Sequence, residues 1–153
     1  MSRSLDVLSS KFKPKVFELL ARLTERGEPV LIVQTDRTPA EQDENIAAGT
    51  SKTSHSKHIP RRLRGVTVDP FSPADLDKCD AVDICPYDIY QFHGPDKLQW
   101  NGADPAWKVI GEEAEKLDLR WGGRWHTPHD PGHVELILSD HDRQLATIER
   151  QRP

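Results

Sequence analysis

A long polar segment, residues 49–80, most constrains what this chain of 153 residues can fold into. Five glycines and prolines interrupt any regular periodicity within it: Gly49, Pro60, Gly65, Pro70 and Pro73. Because the segment is polar and broken in this way, an ordered conformation needs a source of stability other than a hydrophobic core. A bound metal ion is one such source, since the binding energy of a metal site contributes to folding.

The residues before this segment carry patterns of regular secondary structure. From Pro14 to Arg26 apolar residues recur at helical spacing, and Val30–Val33 form a short β-branched run that is typical of a buried strand. Thr38-Pro39-Ala40-Glu41 is a capping box, which predicts the start of a second helix that Gly49 ends.

The residues after the segment predict two further strands and a helix. Ala81–Ile84 is a short apolar run, and Asp104 followed by Pro105 indicates the start of a helix with one apolar face. A last strand covers His133–Leu138, where His133 and Glu135 lie on the face opposite to Val134. The pattern predicts an α+β fold, with helices around a small sheet, in one domain that spans residues 1–153.

Composition and charge exclude several classes of protein. A net charge of −4 argues against nucleic acid as the main partner, because phosphate binding needs a basic surface. The longest aliphatic run, Val30–Val33, is far short of the roughly 20 residues of a membrane span. The N-terminus lacks the apolar stretch of a secretory signal, so we expect synthesis in the cytoplasm with Cys79 and Cys85 reduced.

The motifs narrow the chemistry to histidine and carboxylate side chains. The sequence contains no GxSxG, P-loop, GxGxxG or HExxH pattern, and neither cysteine has the surroundings that activate a thiol. Three segments stand out instead: Ser56-Lys57-His58, Ala81-Val82-Asp83-Ile84 and the run from His129 to Glu135. Two histidines and one carboxylate suit a catalytic zinc ion, which keeps a further coordination position open for water.

Several ligand sets agree with the spacing alone. Asp83 and His133 can converge across the sheet, with His58 supplied by the preceding loop and Asp130 as a second carboxylate. A carboxylate beside zinc-activated water can act as the general base. Other histidines remain candidates on spacing alone: His55, His93, His126 and His129.

The order of these motifs resembles the zinc peptidases of the D-alanyl-D-alanine carboxypeptidase and L-alanyl-D-glutamate endopeptidase family, which includes phage endolysins and vancomycin-resistance dipeptidases. The family shares an SxH segment, an AxD strand and a late acidic-x-x-His segment. The resemblance implies one zinc ion bound by His58, Asp83 and His133, with Asp130 as the base. It also implies a small antiparallel sheet that carries the zinc site, a fold shared with signalling domains of the hedgehog type.

Two further segments extend the resemblance. Leu119–Trp125 contains the sequence WGGRW, which is similar to the family's WGG-x-W segment. Asp36-Arg37-Thr38-Pro39 is similar to the family's early arginine loop, so Arg37 is expected to stabilise the oxyanion or hold a substrate carboxylate. On the same basis Ser56, Trp125 and His129 are expected to contact the substrate.

The chain departs from the family pattern between the first histidine and the aspartate. His58 and Asp83 are 25 positions apart, which exceeds the usual spacing and implies an insertion over about residues 60–80. Asp69 is therefore a rival ligand, although Asp83 matches the AxD strand better. Cys79 and Cys85 bracket Asp83 and offer a structural zinc site as a further alternative.

The resemblance implies a peptidase that hydrolyses peptidoglycan stem peptides. The two activities of the family are L-alanyl-D-glutamate endopeptidase and D-alanyl-D-alanine carboxypeptidase. We expect a monomeric phage or prophage endolysin, made in the cytoplasm and acting on the cell wall after release. The alternative hypothesis is a non-catalytic, zinc-stabilised binding domain of the same fold.

Overall fold

The computed structural model describes residues 2–49, 51, 56–66, 73–88, 98–126 and 129–152. The helices are α1 (Phe12–Glu25), α2 (Pro39–Ala47), α3 (Ala106–Lys116) and α4 (Asp140–Arg150). The strands are β1 (Val30–Gln34), β2 (Ala81–Pro86), β3 (Leu119–Trp121) and β4 (His133–Leu136). Short 3-10 helices occupy Leu5–Val7, Arg61–Arg64, Pro73–Asp77 and Gly122–Arg124. The predicted α+β class is confirmed.

The four strands form one antiparallel sheet in the order β1-β2-β4-β3. Asp83 of β2 pairs with His133 of β4 on one side and with Gln34 of β1 on the other. The register between β1 and β2 shifts between Ile32 and Gln34. Because directly paired residues on antiparallel strands project to the same face, the sheet places these three polar side chains side by side.

The hydrophobic core lies on the other face of the sheet. Val82, Ile84 and Val134 are buried there, and α1 and α3 contact each other above them. Helix α1 buries one apolar stripe at helical spacing, namely Phe12, Val16, Leu19 and Leu23. The alternation along β2 and β4 therefore separates a packed apolar face from a polar face that is free to carry chemistry.

The helix ends agree with the sequence patterns. The capping box at α2 is present, with the Thr38 hydroxyl accepting from the Glu41 backbone N–H at 3.1 Å and the Glu41 carboxylate accepting from the Thr38 N–H at 3.1 Å. Asp104 accepts from the Ala106 N–H at 2.9 Å, but α3 begins at Ala106 with Pro105 as its N-cap, one residue later than predicted. Helix α1 begins at Phe12, earlier than Pro14, because a proline in the first turn gives up no intrahelical hydrogen bond.

A buried ion-pair network stabilises the described part of the polar segment 49–80. The Asp80 side chain is fully buried and accepts hydrogen bonds from Ser9, Arg61 and Arg64. Backbone bonds add to it, since the Arg61 N–H donates to the Lys78 carbonyl and the Asp80 N–H to the Lys57 carbonyl, both at 2.9 Å. In this segment buried ion pairs therefore stabilise the fold, as apolar packing does elsewhere in the chain.

Both cysteines are free and buried. Burial raises the pKa of Cys79 to about 12, which disfavours the thiolate that a metal would need. Among the described residues the group able to bind a metal contains neither cysteine, so the cysteine-based zinc site finds no support there. Asp69, the rival carboxylate, lies outside the described residues. No helix in the described part of the chain has the length and apolar character to cross a bilayer.

Candidate active site

Three side chains, those of His58, Asp83 and His133, converge on the polar face of the sheet. One ligand atom from each lies within 4.8 Å of the other two. The Oδ1 atom of Asp83 lies 3.0 Å from Nε2 of His58 and 3.4 Å from Nδ1 of His133. Both imidazoles are buried, whereas the Asp83 side chain remains 24% exposed, so the cluster reaches solvent on the side of the carboxylate.

Residues that follow β1 fix the orientation of His58. Its Nδ1 lies 2.5 Å from the Thr35 carbonyl oxygen, at the end of β1. Because a carbonyl only accepts hydrogen bonds, Nδ1 carries the ring hydrogen and Nε2 presents its lone pair to Asp83. The Arg37 N–H also donates to the His58 carbonyl at 2.8 Å, which holds the backbone of the loop against the residues that follow β1.

Glu135 fixes the orientation of His133 through the other ring nitrogen, Nε2. Its carboxylate lies 2.9 Å from Nε2 of His133, and a carboxylate at this position accepts, so Nε2 carries the hydrogen. Nδ1 of His133 then presents its lone pair toward Asp83. Such hydrogen bonds behind a histidine are the usual means by which proteins orient metal-binding imidazoles.

The converging lone pairs require a cation. Two imidazole nitrogens and one carboxylate oxygen point at the same small volume, and their mutual repulsion is relieved only by a proton or a metal ion. In the metal-free protein, burial lowers the pKa of His133 but hydrogen bonds to Asp83 and Glu135 outweigh it and raise this pKa to about 10. For Asp83 the charge of His58 and the hydrogen bonds of both histidines outweigh burial and lower the pKa. A metal ion that binds here would displace the proton.

The geometry fits zinc. A tetrahedral zinc ion with ligands at about 2.0–2.1 Å holds neighbouring ligand atoms about 3.3 Å apart. The observed separations of 3.0 and 3.4 Å around Asp83 Oδ1 are close to that edge length. Three protein ligands on an accessible face leave a coordination position open, as catalytic zinc sites require.

Arg37 lies beside the cluster, at the corner between β1 and α2. Its guanidinium donates to the amide oxygens of Gln42 at 2.5 Å and Gln34 at 2.6 Å, and Nη2 lies 3.6 Å from Asp83. Its Nε–H is buried without a hydrogen-bond partner among the described residues. The structure therefore brings Arg37 to the site and leaves one of its donors unused.

Asp130 lies in the turn that leads into β4 and lines a cavity of about 350 Å³ together with Asp83. Burial and the neighbouring Asp83 raise its pKa, against the opposing charges of His133, His58 and Arg37. The backbone of Asp130 is tied to the site, since its N–H donates to the Gly122 carbonyl and its carbonyl accepts from the His133 N–H, both at 3.1 Å. The structure thus places a second carboxyl residue on the cavity that Asp83 lines.

The three expected substrate contacts occupy different environments. The Ser56 side chain is buried and its hydroxyl accepts from the His58 N–H at 3.3 Å, so its visible interaction is with the ligand loop. The Trp125 ring lies 4.9 Å from the His133 ring, and its indole N–H is buried without a partner among the described residues. His129 is exposed and lines the cavity with Asp130. Of the other histidines, His126 is exposed, and His55 and His93 lie outside the described residues.

The charged groups behind His133 were not predicted from the sequence. Lys57 contacts Glu135 at 2.6 Å and Asp142 of α4 at 2.6 Å, and Arg120 of β3 lies 3.5 Å from Glu135. One sequence signal could have indicated the contact between Glu135 and His133. Glu135 lies two residues after His133, on the same face of the strand. Nothing in the spacing of Lys57 or Asp142 indicates their meeting, because it depends on tertiary structure.

Comparisons with known proteins find peptidases that are similar to this chain. A family model described as D-alanyl-D-alanine carboxypeptidase matches residues 79–136, which include Asp83, Asp130 and His133. An L-alanyl-D-glutamate peptidase of Escherichia phage T5 is 31% identical over 145 residues, with 82% of this chain and 88% of that protein covered.

The fold resembles one solved peptidase structure with a TM-score above 0.5. The L-Ala D-Glu endopeptidase ChiX of Serratia marcescens is 22% identical, with a TM-score of 0.54 over 92% of this chain and 91% of that chain. The vancomycin-resistance D,D-pentapeptidase VanY, in complex with Zn(II), is 15% identical, with a TM-score of 0.49 over 92% of this chain and 78% of that chain. From its identity with the phage peptidase over most of both chains, this chain belongs to the peptidase family of the D-alanyl-D-alanine carboxypeptidases and the phage L-alanyl-D-glutamate peptidase.

Proposed function

We propose that this protein is a zinc endopeptidase that hydrolyses the L-alanyl-D-glutamyl bond of peptidoglycan stem peptides. The observation that carries the proposal is the convergence of His58 Nε2, Asp83 Oδ1 and His133 Nδ1 at separations suited to one zinc ion. The phage relative, which is named for this bond, supports the choice of substrate.

A zinc ion bound by these three residues would supply Lewis-acid activation of water and of the scissile carbonyl. Asp130 is the general base: it accepts the proton of the attacking water and passes it to the leaving amine. Its raised pKa suits both halves of that transfer, because a carboxyl of ordinary acidity would hold the proton too weakly. Arg37, whose guanidinium lies 3.6 Å from Asp83, supplies positive charge for the negative charge that develops on the carbonyl oxygen.

The shape of the surface favours an endopeptidase. The cavity that contains Asp83 and Asp130 shares Gly102, Trp107, His129 and Pro131 with a second cavity of about 570 Å³. The two cavities are therefore adjacent, and the second extends toward Trp121 and Arg124. A carboxypeptidase needs a pocket that ends at a free carboxylate, whereas a continuing groove accommodates peptide on both sides of the scissile bond.

We also propose a phage or prophage origin and action on the cell wall after release from the cytoplasm. The phage source of the curated relative supports the origin. The substrate supports the site of action, because peptidoglycan lies outside the cytoplasmic membrane.

Digestion of purified peptidoglycan by the zinc-loaded protein, with mass spectrometry of the products, tests the proposal. The expected products carry new L-alanine carboxyl termini and new D-glutamate amino termini. Asp130→Asn is the matched control, because it keeps the size and polarity of the side chain; it should retain zinc and lose turnover. Release of terminal D-alanine instead would identify a carboxypeptidase, and no cleavage by protein shown to hold zinc would favour a binding domain.

A further inference from the structure

We propose that Lys57 is a positioning residue that orients both histidine ligands of the metal site. Helix α4 holds the Lys57 side chain in place through Asp142. The inference rests on the proposed zinc site. Lys57 and helix α4 both lie outside the matched family segment, residues 79–136.

The Lys57 ammonium is surrounded by three acceptors. It lies 2.6 Å from Glu135 Oε2, 2.6 Å from Asp142 Oδ2 and 2.8 Å from the Leu136 carbonyl oxygen. Two of these contacts are hydrogen bonds, to Asp142 and to the Leu136 carbonyl, and the contact with Glu135 Oε2 is an ion pair. The Lys57 side chain is only 12% exposed and that of Glu135 only 6%, so solvent screens this pair far less than a surface salt bridge.

Lys57 connects the two segments that carry the histidines. It precedes His58 directly, and its carbonyl accepts from the Asp80 N–H at 2.9 Å, just before β2. Its side chain crosses to β4, where Glu135 in turn receives the hydrogen bond of His133 Nε2. One side chain therefore ties the His58 loop to the carboxylate that orients His133.

Helix α4 completes the arrangement from behind. Asp142 in its first turn binds Lys57, and Glu149 near its end binds Arg120 through two hydrogen bonds of 2.9 and 2.6 Å. Arg120 itself lies 3.5 Å from Glu135. Two cations held by α4 thus flank the one carboxylate that sets the tautomer of His133.

The charges explain why Lys57 is needed. Glu135 and Asp142 each place an oxygen 2.6 Å from the same nitrogen, so these oxygens are at most about 5 Å apart. Without the ammonium the two carboxylates repel each other in a buried environment where such repulsion is strong. Glu135 would then turn away from Asp142, and its hydrogen bond to His133 would weaken.

Zinc affinity, measured by competition with a chelator of known affinity, tests the proposal. We expect Lys57→Met to raise the zinc dissociation constant about tenfold or more, within the range of about 10- to 100-fold seen when groups behind metal ligands are removed. Lys57→Gln keeps a donor toward the Leu136 carbonyl and should change affinity in the same direction, and it replaces Lys57→Met if that variant does not fold. Arg143→Met is the control, because it removes a cation of α4 that pairs with Asp118 and leaves Glu135 untouched.

A double variant separates positioning from general destabilisation. If Lys57 acts through Glu135, then Lys57→Met combined with Glu135→Gln should bind zinc no more weakly than Glu135→Gln alone, because the two residues share one pathway. Additive losses, equal losses in Arg143→Met, or unchanged affinity in folded Lys57 variants would each overturn the proposal. Failure of the wild-type protein to bind zinc would instead refute the proposed function.

Discussion

Asp80 provides a strong test of how the polar segment is stabilised. Its carboxylate is fully buried and accepts bonds from Ser9 at 2.6 Å, from Arg61 at 2.9 Å twice, and from Arg64 at 2.6 Å. Asp80→Asn keeps the shape of the side chain but removes the charge. The guanidinium groups of Arg61 and Arg64 then lie buried without their shared counter-ion.

The size of the effect follows from this burial. Removal of one partner from a buried ion pair costs about 3–5 kcal/mol of the free energy of unfolding. For a chain of this length each kcal/mol corresponds to about 2–4 °C in Tm, so Asp80→Asn should lower Tm by about 6–20 °C. The Asp80 backbone N–H also donates to the Lys57 carbonyl, so a shift of Asp80 would reach the loop that carries His58.

The matched control makes the same chemical change in an exposed pair. Asp118 binds Arg143, but the two side chains are 44% and 50% exposed, so Asp118→Asn should cost about 0–1 kcal/mol. Thermal and urea unfolding, followed by circular dichroism, measure both variants. Equal changes in Tm for Asp80→Asn and Asp118→Asn would refute the view that the buried network stabilises this segment.

Three further predictions concern the site. Arg37→Lys loses the planar fork that spans Gln34 and Gln42, and it should lower kcat/KM about 100-fold while zinc affinity stays unchanged; equal losses of both would point to a structural role. In Gly122→Ala the new Cβ would lie 2.3 Å from the Asp130 carbonyl oxygen, so the turn must shift and turnover should fall at least tenfold; wild-type kinetics would contradict this. With free zinc at 100 times the zinc Kd, removal of the zinc should lower Tm by about 5–10 °C in calorimetry. An unchanged Tm would argue against the ion stabilising the fold.

The strands that carry Asp83 and His133 could be predicted because short apolar runs and period-two alternation mark them. Their antiparallel register then follows from the sheet and brings the two residues opposite each other. His58 is different, because it lies in a loop. Its position depends on the Thr35 carbonyl and the Arg37 N–H, contacts that no local pattern indicates.

Strand β3 and helix α4 were not predicted, and their sequences explain why. Strand β3 has only three residues, with Arg120 in its centre, so no alternation is visible. Helix α4 buries only Ala146 and Glu149, and its attachment depends on ion pairs such as Asp142 with Lys57. Hydrophobic periodicity is a weak signal for a helix held mainly by charge.

The polar segment shows the same limit. Its polar sequence, broken by glycine and proline, predicted a source of order besides a core, for which a bound metal was the suggestion. The partners that do so, such as Ser9 and Asp80, lie far apart in sequence, and only the tertiary fold brings them together.

Titration of the metal-free protein with zinc, with release of L-alanyl-D-glutamate cleavage products as the readout, tests the central claim most directly. If His58, Asp83 and His133 bind a single catalytic ion, the rate of product release should rise linearly and break at one equivalent of zinc. Hydrolysis at full rate without zinc, or none at one equivalent, would contradict the account.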